Sequence, residues 1–249
     1  MTKKAWLIVS VLCIAILGGL IFISRSNQID VSNVDLSTIQ VGSSKNGNIG
    51  DHIAGKVDSK VILFEYGDYQ CPGCGTAAPI IKQVVEKYGD KIAFVFRNFP
   101  LYNAHPNAFA AASAAEAAGL QGKFWEMHDY LYGNQNSWNT LSGQSRTDYF
   151  VAAAKSLGVN VDTFTTELTN PNIKKKVDFD VALGKKANVT GTPSFYIDGK
   201  NVGDQYFADG KIVTSTTSGA QAIWSSADAF GTLVIEPALR AHGISISNN

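Results

Sequence analysis

The sequence predicts an α/β fold in which a strand–helix–strand unit is followed by a helical insertion and a closing strand–strand–helix unit. Two short runs of apolar and β-branched residues, Lys60–Tyr66 and Ile92–Arg97, have the composition of buried strands. Between them, residues 77–88 carry apolar side chains at the i, i+3, i+4, i+7 spacing of an amphipathic helix. This order of elements predicts a parallel strand pair joined by a crossover helix.

Residues 1–24 are predicted to form an N-terminal transmembrane helix that anchors the protein. Ala5–Ser24 contains no charged residue, and a helix of this length spans about 30 Å, the thickness of the hydrocarbon core of a bilayer. Lys3 and Lys4 favour a cytoplasmic N-terminus and an exported body. A cleaved signal peptide, which would give a secreted protein, is the alternative, although the apolar stretch is long for one and lacks a good cleavage site.

Residues 25–50 are rich in Ser, Asn and Gly, and this composition predicts a flexible tether between the anchor and the body. The folded body is predicted to cover residues 51–249. A helical insertion is expected at about 104–187.

Strands are expected to return with Ser194–Ile197, followed by a hairpin turn at Asp198-Gly199. Residues 208–223, which are rich in Gly, Ser and Thr, are predicted to form a loop. Pro237 is expected to kink or end a last helix at Ser226–His242. This arrangement is the thioredoxin fold interrupted by a helical domain.

The composition argues against a nucleic-acid partner. The chain of 249 residues is 45% hydrophobic, and its formal net charge is zero. Nucleic-acid binders usually carry a basic stripe that such a balanced chain does not suggest.

The stretch EYGDYQCPGC contains two cysteines, Cys71 and Cys74, that could bind a metal, form a structural bridge or exchange a disulfide. A zinc site needs four ligands, and no second cysteine pair or H-x3-5-H pair accompanies this one. A bridge that closes so short a loop stabilises a fold little. A thiol at the start of a helix, in contrast, has its pKa lowered to about 3.5–7.5 by the helix dipole and free N–H groups. Disulfide exchange is therefore favoured, with Cys71 as the attacking sulfur and Cys74 as the resolving one.

The segment FEYGDYQCPGCG resembles the active-site segment of the bacterial DsbA-like thiol–disulfide oxidoreductases, in the Gram-positive and membrane-anchored branch. Pro79 and Glu65 lie at the spacings from the cysteines that this family shows, and TGTPSF at residues 190–195 is similar to its cis-proline loop. The resemblance covers about residues 50–243. It implies a cis bond before Pro193, and it implies that the backbone of Thr192 faces outward, free to pair with an extended substrate.

The resemblance also gives roles to acidic side chains near the cysteines. Glu65, if it is buried near Cys74, could accept the proton that is released in exchange. Asp68 is either a second such acid or a turn-forming residue, and His105 is expected to begin a helix.

The expected function is that of an enzyme, a membrane-tethered thiol–disulfide oxidoreductase outside the cytoplasmic membrane. It would donate the Cys71–Cys74 disulfide to exported proteins through a mixed disulfide at Cys71, and it would need no cofactor or metal. The family implies a quinone-linked membrane partner for re-oxidation. Two alternatives stay open: a reductase or isomerase of the same fold, and a non-catalytic binding module whose cysteines form a static bridge.

Overall fold

The computed structural model describes residues 6, 9–16 and 29–246. The chain divides into two units, residues 1–30 and 31–249. In the first unit, residues 9–16 are helical, but most of the predicted anchor lies outside the described residues. Within the described ranges, no helix has the length and hydropathy of a membrane span.

The core of the second unit is a mixed five-stranded sheet with the strand order β1-β3-β2-β4-β5. Strand β2 pairs in parallel with β3, and both β1 and β4 are antiparallel to their neighbours. The crossover between β2 and β3 is helix α1, so the predicted strand–helix–strand unit is confirmed. The elements are β1 (His52–Gly55), β2 (Ile62–Gly67), α1 (Pro72–Tyr88), β3 (Ala93–Asn98), β4 (Ser194–Ile197) and β5 (Lys200–Asn201).

The predicted helical insertion is also present. Helix α2 packs against α3 and α7, and most of its alanines are buried, which lets these helices approach closely. The six helices of the insertion are α2 (Ala108–Gly119), α3 (Phe124–Gly133), α4 (Gln135–Trp138), α5 (Gly143–Ser156), α6 (Val161–Glu167) and α7 (Pro171–Lys186).

Parts of the region predicted to be a loop, residues 208–223, belong instead to a second sheet, so that prediction is wrong for these strands, whereas residues 214–220 lie outside any strand. The three strands of this sheet, β6 (Tyr206–Ala208), β7 (Lys211–Val213) and β8 (Gln221–Ala222), have the order β7-β6-β8. Asp209 and Gly210 have φ values of 50° and 70°. They form the two-residue hairpin turn that fits twisted strands. The strands are short and partly exposed, so they lack the apolar run that would have indicated them.

The last helical region is interrupted before Pro237, as predicted. Helix α8 (Ala227–Phe230) continues into a π turn at Gly231–Ile235 and then into α9 (Glu236–Ala241). Proline has no N–H to donate, and Pro237 lies in the first turn of α9, a position where it is tolerated.

The tether predicted for residues 25–50 is contradicted from residue 31 onward. Val31, Asn46 and Ile49 are buried against the body, and the chain forms a short 3₁₀ turn at Ser44–Asn46. Lys186 holds this segment from helix α7, because its Nζ donates to the carbonyl oxygen of Ser32 at 2.7 Å. Polar composition alone does not reveal such contacts, because they form with residues far away along the chain.

A buried ion cluster, formed by Asp51, Arg97, Lys176 and Asp180, joins this segment to the sheet and to α7. Asp51 lies 2.8 Å from Arg97 Nη2 and 3.0 Å from Lys176 Nζ, and Lys176 Nζ also lies 2.8 Å from Asp180. Burial alone would raise the pKa of Asp51, but Lys176 and Arg97 outweigh burial and hold it at about 2. Arg97 also donates to the carbonyl oxygen of Thr38 at 2.9 Å, which fixes the N-terminal segment to the cluster.

Candidate active site at the start of helix α1

Cys71 is the N-cap residue of α1, placed there by a sharp turn after strand β2. Its own N–H donates to the carbonyl oxygen of Asp68 at 3.0 Å, and Pro72 occupies the first turn of the helix. Proline suits this position because its missing N–H is not needed there. The Cys71 thiol therefore lies at the positive end of the helix, among backbone N–H groups without helical partners.

The two cysteines have opposite acidities. The pKa of Cys71 falls to about 5, chiefly because of a hydrogen bond with the Cys74 side chain, with further hydrogen bonds from the backbone of Cys74 and Gly73. The pKa of Cys74 rises well above its usual value because this thiol is deeply buried. Near neutral pH, Cys71 is thus a thiolate and Cys74 keeps its proton. The two sulfurs are not bonded to each other in this structure.

The loop before β4 contacts the cysteines from the opposite side. The Thr192–Pro193 bond is cis, as predicted, and a Cβ built on Gly73 would lie 3.4 Å from Pro193 Cδ and 3.7 Å from Cys71 Sγ. In its thiol form, Cys71 donates from Sγ to the carbonyl oxygen of Thr192 at 3.3 Å. A thiolate has no S–H to donate, so ionisation of Cys71 frees this carbonyl. Pairing of the Thr192 backbone with an extended substrate stays a prediction.

Glu65 lies in the middle of β2 beneath the cysteines and is fully buried. Burial, with a smaller effect from Cys71, raises the pKa of this carboxyl to about 8. Glu65 Oε1 has no hydrogen-bond partner among the described residues. The side chain lines a cavity of about 190 Å³ between α1 and α3, together with apolar groups such as Ile81, Phe94 and Trp125.

Asp68 forms a turn, which is one of the two roles predicted for it. Its Oδ1 accepts from the N–H of Gln70 at 2.7 Å, and its Oδ2 accepts from the N–H of Leu101 at 2.8 Å. His105 Nδ1 lies 2.7 Å from the same Oδ2, so this histidine fixes the loop before α2. Every oxygen of the carboxylate is therefore used to hold backbone in place.

Two residues of the insertion, Gln135 and His128, lie at the site although no sequence motif indicates them. Gln135 Nε2 donates to the carbonyl oxygens of Tyr69 and Cys71 at 2.8 and 2.9 Å. His128 lies against the rings of Tyr69 and Phe96 and lines the same cavity as Glu65. Neither residue belongs to a motif, so its contribution depends on the tertiary fold.

Among the residues that the structure describes, no group of three or more His, Cys, Asp or Glu side chains could hold a metal ion.

Comparison with known proteins agrees with this geometry. The family model described as Thioredoxin matches residues 47–211. The crystal structure of oxidised BdbD from Bacillus subtilis is 22% identical and covers 82% of this chain and 98% of its own, with a TM-score of 0.58. The MdbA protein of Corynebacterium diphtheriae, titled a thiol-disulfide oxidoreductase, is 21% identical and covers 70% of this chain and 92% of its own, with a TM-score of 0.52. These similarities confirm the predicted thioredoxin fold with its helical insertion.

The curated relatives are longer proteins that are named Na(+)/H(+) antiporters. A Na(+)/H(+) antiporter NhaA 1 of Salinispora arenicola is 35% identical over 173 residues, which are 69% of this chain and 25% of that protein. One of Mycolicibacterium vanbaalenii is 36% identical over 151 residues, 60% of this chain and 23% of its own length. This chain spans about a quarter of the relatives it matches.

Proposed function

Because this chain belongs to the thioredoxin family, we propose that it is a thiol–disulfide oxidoreductase that reacts with other proteins at Cys71. The observation that carries the proposal is the contrast between the two thiols. Cys71 has its pKa lowered to about 5 at a helix start, and Cys74 stays protonated in the interior behind it. A static bridge has no need of this asymmetry, whereas an exchange reaction does.

The exchange has two steps. A substrate thiolate attacks Sγ of Cys71 in the Cys71–Cys74 disulfide, so a mixed disulfide forms and Cys74 leaves with the electron pair and takes a proton. A second substrate thiolate then attacks the substrate sulfur of the mixed disulfide and releases Cys71 as a thiolate. The substrate is oxidised by two electrons, and the cysteine pair is reduced by two.

Donation of the disulfide is the direction that we propose, because a stabilised thiolate at Cys71 favours the reduced form of the protein. The substrates would be exported proteins that still have reduced cysteines. A quinone-linked membrane partner would accept these two electrons from the reduced cysteine pair and so restore the disulfide. No cofactor beyond the cysteine pair is required. The uncharged run Ala5–Ser24 supports a membrane anchor with the active site on the extracytoplasmic side.

The reduction potential tests the direction. The full chain would be equilibrated in glutathione buffers, and the thiols would be counted by the mass added on alkylation. A value near or above about −150 mV would identify a disulfide donor, whereas a value near or below about −250 mV would point to a reductase or a structural bridge.

A substitution tests the exchange itself. Cys71→Ser removes the attacking sulfur and should abolish oxidation of a reduced dithiol peptide. Cys13→Ser is the matched control, because Cys13 lies in the N-terminal unit and should not be needed. Retained activity in Cys71→Ser would overturn the proposed role of Cys71.

A further inference from the structure

The cavity beside Glu65 contains two buried polar side chains whose hydrogen-bonding capacity is not used. Among the described residues, neither Glu65 Oε1 nor His128 Nε2 has a partner, and both side chains line the same cavity of about 190 Å³. Buried polar atoms without partners are uncommon because each costs free energy, so a pair of them in one cavity calls for an explanation. The cavity has room for water, which needs about 30 Å³ per molecule in the liquid.

The protonation of the two groups is complementary. Burial lowers the pKa of His128, so the ring is neutral near pH 7. Its Nδ1 lies 3.0 Å from Asp129 Oδ1, and a carboxylate there favours the proton on Nδ1. Nε2 is then a lone-pair acceptor. Glu65, with a pKa of about 8, carries an O–H that can be donated.

The path continues from His128 to the surface. The side chain of His128 is 7% exposed, and that of Asp129, its partner on Nδ1, is 41% exposed. Asp129 is held in turn by Lys82, at 2.5 Å and on the outer face of α1. A buried carboxyl, a ring with one free nitrogen and an exposed carboxylate thus follow one another from the cysteines to solvent.

We propose that His128 carries the proton of Glu65 to solvent through Asp129, so that Glu65 can act as the base for Cys74. This inference rests on the proposed exchange function. When Cys71 forms a mixed disulfide with a partner, Cys74 must lose its proton before it can attack. Glu65 is protonated near pH 7, so it can accept that proton only after its own has left.

The step balances without an added reagent beyond the partner disulfide. The Glu65 O–H gives its proton to His128 Nε2, directly or through water, and Nδ1 gives its proton to Asp129 and solvent. Glu65 carboxylate then takes the proton of Cys74, and the Cys74 thiolate attacks Cys71 Sγ. The bond to the partner breaks, and the partner sulfur leaves as a thiolate. His128 touches neither reacting sulfur and is a positioning residue that acts through Glu65.

Other titratable groups lie near this path on the elements that pack against it. Lys82 and Glu86 of α1 line the cavity with Asp129, and the hydroxyls of Tyr69 and Tyr132 are buried without described partners. Neither tyrosine lines the cavity. Burial raises the pKa of both hydroxyls well above the usual value, so they stay neutral.

Oxidised glutathione is a suitable probe because it separates the two steps. It reacts first with the Cys71 thiolate to give a glutathione mixed disulfide, which Cys74 then resolves. The reaction is quenched in acid, and the mass of the protein is measured by mass spectrometry. This gives the rate of each step at each pH from 5 to 9. The variants are His128→Phe, which keeps the ring in its aromatic surroundings, and Tyr132→Phe, a control that removes an equally buried hydroxyl outside the cavity.

We expect His128→Phe to slow the second step about tenfold, below the 10²–10⁴-fold effect of a direct general acid or base. The first step and the reduction potential should stay as in the wild type, and Tyr132→Phe should leave both steps unchanged. Imidazole in the buffer should restore the second step in His128→Ala.

A second step of wild-type rate in His128→Phe would overturn the proposal, and so would equal slowing of both steps. If His128→Phe does not fold, Asp129→Ala decides, because it removes the carboxylate that fixes the proton on Nδ1. A wild-type rate there also overturns the proposal. A wild-type protein that does not react with glutathione at all would instead overturn the proposed function.

Discussion

At the scale of single residues, the acidity of Cys71 is the property on which the chemistry depends. The pKa of Cys71 is lowered to about 5, against about 8.5 for a free cysteine. We expect the rate of iodoacetamide alkylation of the reduced protein to rise with a midpoint near pH 5, with Cys74 unreacted. Because Cys74 provides the largest stabilisation of the thiolate, Cys74→Ala should move this midpoint to higher pH. Alkylation followed by mass spectrometry measures both, and a wild-type midpoint at pH 8 would contradict the assignment.

Glu65 makes stability depend on pH in an unusual direction for a carboxyl. Its pKa is about 8 in the folded reduced protein, against 4.5 for an ordinary glutamate side chain. Between these values the unfolded chain has lost the proton that the folded protein keeps. The free energy of unfolding therefore falls as pH rises through this window, by up to about 1.4 kcal/mol per pH unit for this group.

Replacing Glu65 by Gln removes this dependence. We expect urea midpoints of Glu65→Gln and wild type, both reduced, to diverge from pH 5 to pH 8 in favour of the variant. Glu126→Gln, on the exposed face of α3, is the control and should show no such divergence. A constant difference between Glu65→Gln and wild type across the window would mean that Glu65 is already charged in the folded protein.

At the scale of elements, the buried ion cluster determines how the segment before β1 is held. Removing one member of a buried ion network leaves the others uncompensated, at a cost of about 3–5 kcal/mol. We expect Asp51→Ala to lower the free energy of unfolding by about this amount, measured by urea denaturation at pH 7. Lys174→Ala, which breaks the exposed pair with Asp178 on the same helix as Lys176, should cost less than about 1 kcal/mol.

The contribution of Asp51 to the free energy of unfolding also depends on pH. Its pKa is about 2 in the folded protein, below the 3.8 of an ordinary aspartate side chain. The stabilisation is therefore complete above this ordinary value and is lost as pH falls toward 2. If Asp51→Ala and Lys174→Ala had equal midpoints at pH 7, the cluster would not be what holds the segment.

Elements with local signals could be predicted, and those that depend on distant contacts could not. The strand–helix–strand unit, the hairpin at Asp198-Gly199 and the cysteine motif each carry a pattern within a few residues. The packing of residues 31–50 depends on Arg97, Lys176 and Lys186, which the polar composition of the segment does not reveal. Gln135 and His128 lie in the insertion, so their place at the site follows from the tertiary fold.

At the scale of the whole molecule, the proposed direction of exchange implies that the disulfide weakens the fold. Stabilising the Cys71 thiolate stabilises the reduced folded protein, and thermodynamic linkage then makes the oxidised form the less stable one. We expect the reduced protein to melt at a higher temperature than the oxidised protein, by calorimetry with and without reductant. The double variant Cys71→Ser, Cys74→Ser should not respond to reductant. A higher melting temperature for the oxidised wild type would favour a structural bridge.

The small exposed surface of Cys71 limits when a substrate protein can react with it. Only 8% of this residue reaches solvent, so an attacking sulfur must arrive on a narrow, loosely held stretch of polypeptide. A cysteine already enclosed in the core of its own protein does not meet that condition, whereas the same cysteine on a chain that is still emerging does. For a protein that donates its disulfide as proposed, the small opening favours oxidation of a substrate chain before it has folded, and folded proteins with buried thiols would be left untouched.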